Sequence, residues 1–133
     1  MKLETIILAA GQGKRMHSRL PKVLHDLGGR PLLAHALAGA EALHPAAIHV
    51  VYGHGGESVR AAFPAARVRW VHQAEQHGTG HAVRLALAGV DPAALVLVLY
   101  GDVPLITTAT LRALGSLAGP DRIALLTAEL EQP

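Results

Sequence analysis

A short apolar run followed by a glycine-rich basic segment constrains the fold of this chain more than any other feature. Residues Thr5 to Ala9 are all apolar or β-prone, as in a parallel strand that is covered on both faces. Gly11 and Gly13 follow, and because glycine has no Cβ, backbone N–H groups there can close around a phosphate. Arg15 adds a planar, permanently charged group that suits phosphate oxygens. The segment therefore predicts a phosphate-binding loop at the carboxyl end of the first strand.

Two familiar phosphate loops do not fit this segment. The dinucleotide pattern G-x-G-x-x-G requires a third glycine where the chain has Met16. The P-loop pattern requires a glycine at its start, which is absent, and Ser or Thr after its lysine, where the chain has Arg15. The remaining alternative is a tight turn that carries basic residues by chance.

Hydrophobic periodicity predicts alternating strands and helices in the rest of the chain. Further strands are expected at 47–51, 68–71, 95–100 and 123–127. Helices are expected at 31–43, around 59–63, at 79–89, and from 107 or 108 to 117. The strongest strand signal, Leu95 to Tyr100, is expected to be buried on both faces. This alternation predicts an α/β, Rossmann-like fold, a mostly parallel sheet with helices on both faces.

The spacing of apolar residues also predicts which helical side chains face the core. The expected core positions are Leu33, Ala36, Leu37, Ala40, Val59, Ala62, Phe63, Val83, Ala86, Leu87, Leu111, Leu114 and Leu117. Thr79 is expected to be the N-cap of its helix. Residues 16–31 carry several glycines and prolines and are expected to be irregular.

Composition limits the function classes. A length of 133 residues is that of one domain, assigned to residues 1–133, and no linker or repeat divides it. Aromatic residues make up only 3%, and the net charge is +2, which argues against a nucleic-acid partner and favours a small anionic substrate. The absence of cysteine excludes disulfides and thiolate metal sites. No apolar run approaches the roughly 20 residues of a membrane span, so a soluble, cytoplasmic protein is expected.

Asp102 comes directly after the strongest predicted strand. A carboxylate at that edge of the sheet is a suitable ligand for Mg²⁺, which typically uses one or two carboxylates together with substrate phosphates. The alternative is a turn aspartate before Pro104. Because the first and fourth strands should end at the same edge, Asp102 and the phosphate loop can share a ligand. A cation, phosphates and basic side chains together indicate phosphoryl or nucleotidyl transfer.

Lys22 and the segment around Gln73 are further candidates. Lys22 follows Pro21 and could hold a phosphate, although alone it would be interpreted as a surface lysine. The amide of Gln73 both donates and accepts, as a pyrimidine edge requires, and Gly78 and Thr79 offer backbone groups nearby. A polar turn before a helix is the alternative. His77 and His81 have metal-ligand spacing, but glycines lie between them and no third ligand is evident.

Five sequence elements together carry a resemblance to a known family. They are LAAGQGKRM (8–16), PKVLH (21–25), VYGHGG (51–56), QAEQHGTGHA (73–82) and LYGDVPL (99–105). In this order they resemble the bacterial N-acetylglucosamine-1-phosphate uridyltransferases, the amino-terminal part of a bifunctional enzyme that also carries a glucosamine-1-phosphate acetyltransferase. The first element is typical of sugar nucleotidyltransferases in general, whereas the last two are far more specific.

The resemblance implies a role for each matching residue. The residues that wrap uridine and phosphates through their backbone are Leu8, Ala9, Ala10, Gly11 and Gly13. Arg15 and Lys22 would be catalytic, Arg15 holding the departing pyrophosphate and Lys22 the phosphates of the nucleotide. The residues that read uracil would be Gln73, Gly78 and Thr79, and those that face ribose and sugar would be Tyr100, Gly101 and Asp102. Asp102 would also bind Mg²⁺.

The implied reaction transfers UMP from UTP to N-acetylglucosamine-1-phosphate, giving UDP-N-acetylglucosamine and pyrophosphate. This product serves peptidoglycan and lipopolysaccharide synthesis, and hence cell shape, in the cytoplasm. The family's chains continue into a second metal ligand, most sugar contacts, and an acetyltransferase β-helix that accompanies trimer formation. The 133 residues are therefore expected to be the first part of a MobA-like NTP transferase domain, inactive alone and prone to associate.

Two alternatives remain open at this point. One is an enzyme similar to the molybdenum-cofactor guanylyltransferases, although a guanine site would not need the Gln73 to Thr79 cluster. The other is a nucleotide-binding module without catalytic activity. The sequence does not predict the sugar preference.

Overall fold

The computed structural model describes residues 2–11, 20–127 and 129. Strands β1 (Leu3–Ala9), β4 (Ala47–Gly53), β5 (Arg69–Gln73) and β6 (Leu95–Tyr100) form one sheet, and β2 (Asp26–Leu27) and β3 (Arg30–Pro31) form a small hairpin. The helices are α1 (Leu32–Glu41), α2 (Glu57–Ala61), α3 (Thr79–Leu87) and α4 (Thr108–Leu117), with a 3₁₀ turn at Lys22–Leu24. No helix among these described residues is long and apolar enough to cross a membrane.

The main sheet is parallel throughout, in the order β5-β4-β1-β6. β1 lies inside the sheet, and its residues from Glu4 to Ala9 are all buried. The chain runs outward from β1 to β4 and β5, and then returns to place β6 on the other side of β1. The strand order therefore reverses between β1 and β6, and the crevice outside their carboxyl ends is where open α/β sheets bind ligands.

Helices cover both faces of this sheet. On one face, α1, α2 and α4 contribute Leu33, Val59 and Leu111 to a core that includes Ile7 and Val50 of the sheet. On the other face, the small side chains of α3 pack closely on the strands, with Ala82 and Ala86 against Ile6, Leu8 and Val51. The predicted α/β class, with a mostly parallel sheet covered on both sides, is confirmed.

The predicted elements are confirmed except for the fifth strand. Residues 123–127 form no strand, and Ile123 is 90% exposed. The apolar run alone was a strand signal, but a strand needs a hydrogen-bonded neighbour, and these residues have none in the described part of the chain. The four main strands and the four helices lie where the periodicity predicted them, with boundaries shifted by a few residues.

Several predicted core positions are wrong for a related reason. Leu87 and Leu117 are exposed, as is Ala62, because helical spacing identifies a face but not how far its packing partner extends. β6 is not buried on both faces, since Val98 and Tyr100 are exposed. In the described part of the chain β6 pairs with β1 alone, so its other side is an edge of the sheet.

The predicted irregular segment contains local order where it is described. Asp26–Leu27 and Arg30–Pro31 pair as an antiparallel hairpin around Gly28 and Gly29. Both glycines have positive φ, +64° and +83°, which is the backbone shape that a two-residue hairpin turn requires. This hairpin leads the chain from the 3₁₀ turn into α1.

A buried hydrogen bond between Glu4 and His49 lies at the amino end of the sheet, away from the crevice. Glu4 Oε1 accepts a hydrogen bond from His49 Nε2 at 2.8 Å, and Glu4 Oε2 accepts one from the Asp91 backbone N–H at 2.8 Å. The His49 hydrogen bond first, and the Asp91 N–H second, hold the pKa of Glu4 below its ordinary value. Ionised Glu4 is therefore more stable in the folded chain than in the unfolded one.

Replacing Glu4 with Gln is expected to lower the melting temperature at neutral pH by several degrees. The folded-state pKa lies below the unfolded one, so the stabilisation is complete above about pH 4.3 and is lost as the pH falls through the folded pKa. The gap between the melting temperatures of the original chain and the variant should therefore shrink on acidification below that pH. A gap that stays constant from pH 7 to pH 3 would contradict this account.

Candidate functional site

A cavity of about 360 Å³ opens at the carboxyl edge of the sheet, in the crevice between β1 and β6. Four separated stretches of the chain form its walls. The lining residues are Leu8, Ala10 and Gly11; Lys22 and Val23; Gln73, Gln76, Gly78, Thr79 and Ala82; and Tyr100 and Asp102. Most of the described residues that the resemblance selected therefore come together around one space.

The end of β1 contributes to the lining of the cavity. Leu8 and Ala10 line it, and Gly11 continues from them at the surface. Ala9 differs, because its side chain is buried in the core on the opposite face. Any contact of Ala9 with a ligand would thus use its backbone alone. Gly13 and Arg15 lie outside the described residues.

Gly101 does not line the cavity, and the chain packs closely around it. Its N–H donates to the Leu8 carbonyl at 2.9 Å, which extends the β1–β6 pairing by one residue. A Cβ at this position would meet Leu8 O and Val23 Cγ1 at 3.2 Å each. A larger residue at this position would therefore displace these neighbours, while the adjacent Tyr100 lines the cavity and is 49% exposed.

Lys22 and Asp102 both line the cavity and form an ion pair. Lys22 Nζ lies 3.0 Å from Asp102 Oδ2, and the two side chains are 44% and 30% exposed. The 3₁₀ turn at Lys22–Leu24 positions the lysine, and its Val23 anchors that turn in the core. The sequence predicted both residues at this edge, but it did not predict that they contact each other.

Gln73 is buried, and both of its hydrogen bonds with described residues use its amide nitrogen. Nε2 donates to the Gly78 carbonyl at 3.2 Å and lies 3.0 Å from His81 Nδ1. Because Nε2 can only donate, we assign His81 Nδ1 as the acceptor. These bonds orient the Gln73 amide within the cavity wall.

The helix that follows begins differently from the prediction. Thr79 is the first residue of α3 and not its N-cap, which is Gly78 with φ of +89°. That conformation is open to glycine but strained for other residues, so Gly78 and not a threonine side chain sets the start of the helix. Both residues nevertheless line the cavity.

Sequence reasoning missed Gln76. Its Nε2 donates to the Ala10 carbonyl at 2.7 Å, which joins the segment after β5 to the end of β1. It belongs to the same quoted element as Gln73, but nothing in that element indicates a contact 66 residues away. The two histidines nearby, His77 and His81, stack edge to face, and no described residues form a group of three acidic, histidine or cysteine side chains that could hold a metal.

This arrangement of sheet, crevice and glycine-containing segments is that of a nucleotide-binding α/β domain. The chain matches the MobA-like NTP transferase domain over residues 5–132, and it belongs to that family. It is 56% identical to the bifunctional protein GlmU of Legionella pneumophila (strain Corby) over 138 aligned positions, covering 100% of this chain and 30% of that protein. It is 60% identical to the bifunctional protein GlmU of Stenotrophomonas maltophilia (strain R551-3), covering 98% of this chain and 29% of that protein.

The chain thus spans about three tenths of the length of the curated relatives it matches. Among solved structures, it is similar to Rv0371c from Mycobacterium tuberculosis H37Rv, with a TM-score of 0.77 and 27% identity, covering 88% of this chain and 60% of that one. A structure of the same mycobacterial protein in complex with manganese gives a TM-score of 0.73 and 26% identity, covering 88% and 59%.

Proposed function

We propose that this chain forms part of an enzyme that transfers UMP from UTP to N-acetylglucosamine-1-phosphate, giving UDP-N-acetylglucosamine and pyrophosphate. One observation carries the proposal most directly. A single cavity combines the backbone of the β1 end, the Lys22–Asp102 pair and the Gln73 segment. A nucleoside triphosphate needs these three components, which are a phosphate-binding backbone, charged groups for the phosphates, and an amide for the base. The five sequence elements that resemble the uridyltransferases support uridine as the nucleoside, and the high identity to the two GlmU proteins agrees with that resemblance.

The residues fit a divalent cation of the Mg²⁺ type. Asp102 contributes a partly exposed carboxylate to the cavity, and a cation, the Lys22 ammonium, already lies 3.0 Å from it. A single protein carboxylate matches the way Mg²⁺ is bound together with substrate phosphates and waters. The manganese complex of the structurally similar mycobacterial protein also supports a divalent metal. When bound, such an ion would offset negative charge on the phosphates.

In the proposed reaction, a phosphate oxygen of the sugar-1-phosphate attacks the α-phosphorus of UTP. A new P–O bond forms, the α–β anhydride bond breaks, and pyrophosphate leaves with the bonding electrons. The protein supplies position and charge and forms no covalent intermediate. Lys22 neutralises phosphate oxygens, the Ala10–Gly11 backbone wraps them, and Gln73 with Gly78 orients the base.

Thermal shift with UTP, CTP, ATP and GTP, with and without Mg²⁺, tests the nucleotide preference of the full-length protein. UTP with Mg²⁺ should raise the melting temperature most, since a ligand at 100 times its Kd stabilises the folded state by about 2.7 kcal/mol. A larger shift with GTP would favour a guanylyltransferase instead. No shift with any nucleotide would contradict the proposal altogether.

A further inference from the structure

The carbonyl of Ala10 makes two close contacts at the point where the chain leaves β1. The side chain of Gln76 donates a hydrogen bond to it at 2.7 Å. The same oxygen lies close to Gly53, the last residue of β4, where a Cβ would be only 2.8 Å from it. A contact of that length is closer than a real Cβ tolerates, so the carbonyl fits only because Gly53 has no side chain.

The orientation of the Ala10 carbonyl also determines the orientation of the N–H group that follows it. The peptide group is planar and trans, so the direction of the Ala10 carbonyl also sets the direction of the Gly11 N–H. Ala10, Gly11 and Gln76 all line the cavity. Gln76 belongs to the segment between β5 and α3 that also contains Gly78, the partner of Gln73.

We propose that Gln76 is a positioning residue that couples the base-reading segment to the phosphate-binding backbone through the Ala10 carbonyl. The inference rests on the proposed function and deepens it, because it assigns a role in nucleotide binding to Gln76, for which the sequence elements predicted none. With the Gln76 bond in place, the Gly11 N–H keeps one direction before nucleotide arrives. Without it, only the contact with Gly53 limits the carbonyl, and the nucleotide itself must order the Ala10–Gly11 peptide.

Gln76→Met tests the proposal, because methionine has a similar length but no hydrogen-bond donor and no charge. The expected result is a loss of roughly tenfold in affinity for Mg²⁺–UTP, measured by calorimetry on the full-length protein. Magnesium tripolyphosphate, which has the phosphates but no base, should lose affinity by a similar factor. The melting temperature of the nucleotide-free protein should change little, since Gln76 is exposed and outside the core.

Glu75→Gln is the matched control, because Glu75 is the preceding exposed residue, contacts His77, and does not line the cavity. Its affinities for both ligands should stay within about twofold of the original values. Loss of UTP affinity with unchanged tripolyphosphate affinity would overturn the proposal, because Gln76 would then contact the base directly. Unchanged affinity for both ligands would overturn it as well. Failure of the original protein to bind UTP would instead contradict the proposed function.

Discussion

Asp102→Asn is expected to lower kcat for UDP-sugar formation on the order of 10²-fold or more in the full-length protein. Asp102 follows β6 at the carboxyl edge and lines the cavity, and its carboxylate is the group we assign to the divalent cation. Asparagine keeps the size of the side chain but removes its charge, so the variant loses electrostatic stabilisation where phosphate charge develops. The fold should persist, because the side chain is 30% exposed and makes no core contact among the described residues.

Asp91→Asn is a matched control for this substitution. Asp91 forms a comparable ion pair, with Lys2 at 3.0 Å, but at the amino end of the sheet. The measurements are steady-state kinetics and melting temperatures of both variants. Asp102→Asn should lose turnover and keep its stability, whereas Asp91→Asn should keep turnover. Normal kcat and normal Mg²⁺ dependence in Asp102→Asn would contradict the metal assignment.

Lys22→Met is expected to change the affinities for nucleotide and for metal in opposite directions. Loss of a charged donor to phosphate should weaken UTP binding on the order of 10- to 100-fold. In the nucleotide-free protein, however, the Lys22 ammonium lies 3.0 Å from the carboxylate that would bind the cation. Its removal should strengthen Mn²⁺ binding, by no more than about fivefold because the pair is partly exposed to solvent.

Titration of Mn²⁺ by electron paramagnetic resonance, together with calorimetry of UTP, measures both affinities. Lys2→Met serves as the control, because it removes a similar lysine from an ion pair far from the cavity. It should leave both affinities unchanged. A Lys22→Met protein that has lost several degrees of melting temperature but binds UTP normally would show that Lys22 is structural.

The sheet was predictable because its strands are nearly continuous apolar runs. Ile6 and Ile7, on opposite faces of β1, are both fully buried, which is the burial that such a run predicts. The face of β6 that carries Val98 and Tyr100 was not predictable in the same way. An apolar run such as 95–100 indicates only that its residues can be buried. Whether Val98 and Tyr100 are exposed depends on which other elements pack against them.

The location of the candidate site was also predictable, but its internal contacts were not. Parallel strands end at one edge, so Gly11 and Asp102 had to approach each other once the strands were assigned. The Lys22–Asp102 pair and the Gln76–Ala10 bond depend instead on the irregular segments before α1 and α3. The sequences of these segments have no periodic hydrophobic pattern, so the direction in which their side chains point could not be inferred. The N-cap of α3 at Gly78 belongs to the same category.

Pyrophosphate release by the full-length protein is the most direct test of the proposed reaction. The reaction should contain Mg²⁺, UTP and N-acetylglucosamine-1-phosphate, with each omitted in turn and with GTP in place of UTP. We expect release only when all three are present, in amounts equal to the UDP-N-acetylglucosamine formed, and much slower release with GTP. Faster release with GTP than with UTP, or binding of UTP and metal without any release when the sugar phosphate is added, would contradict the account.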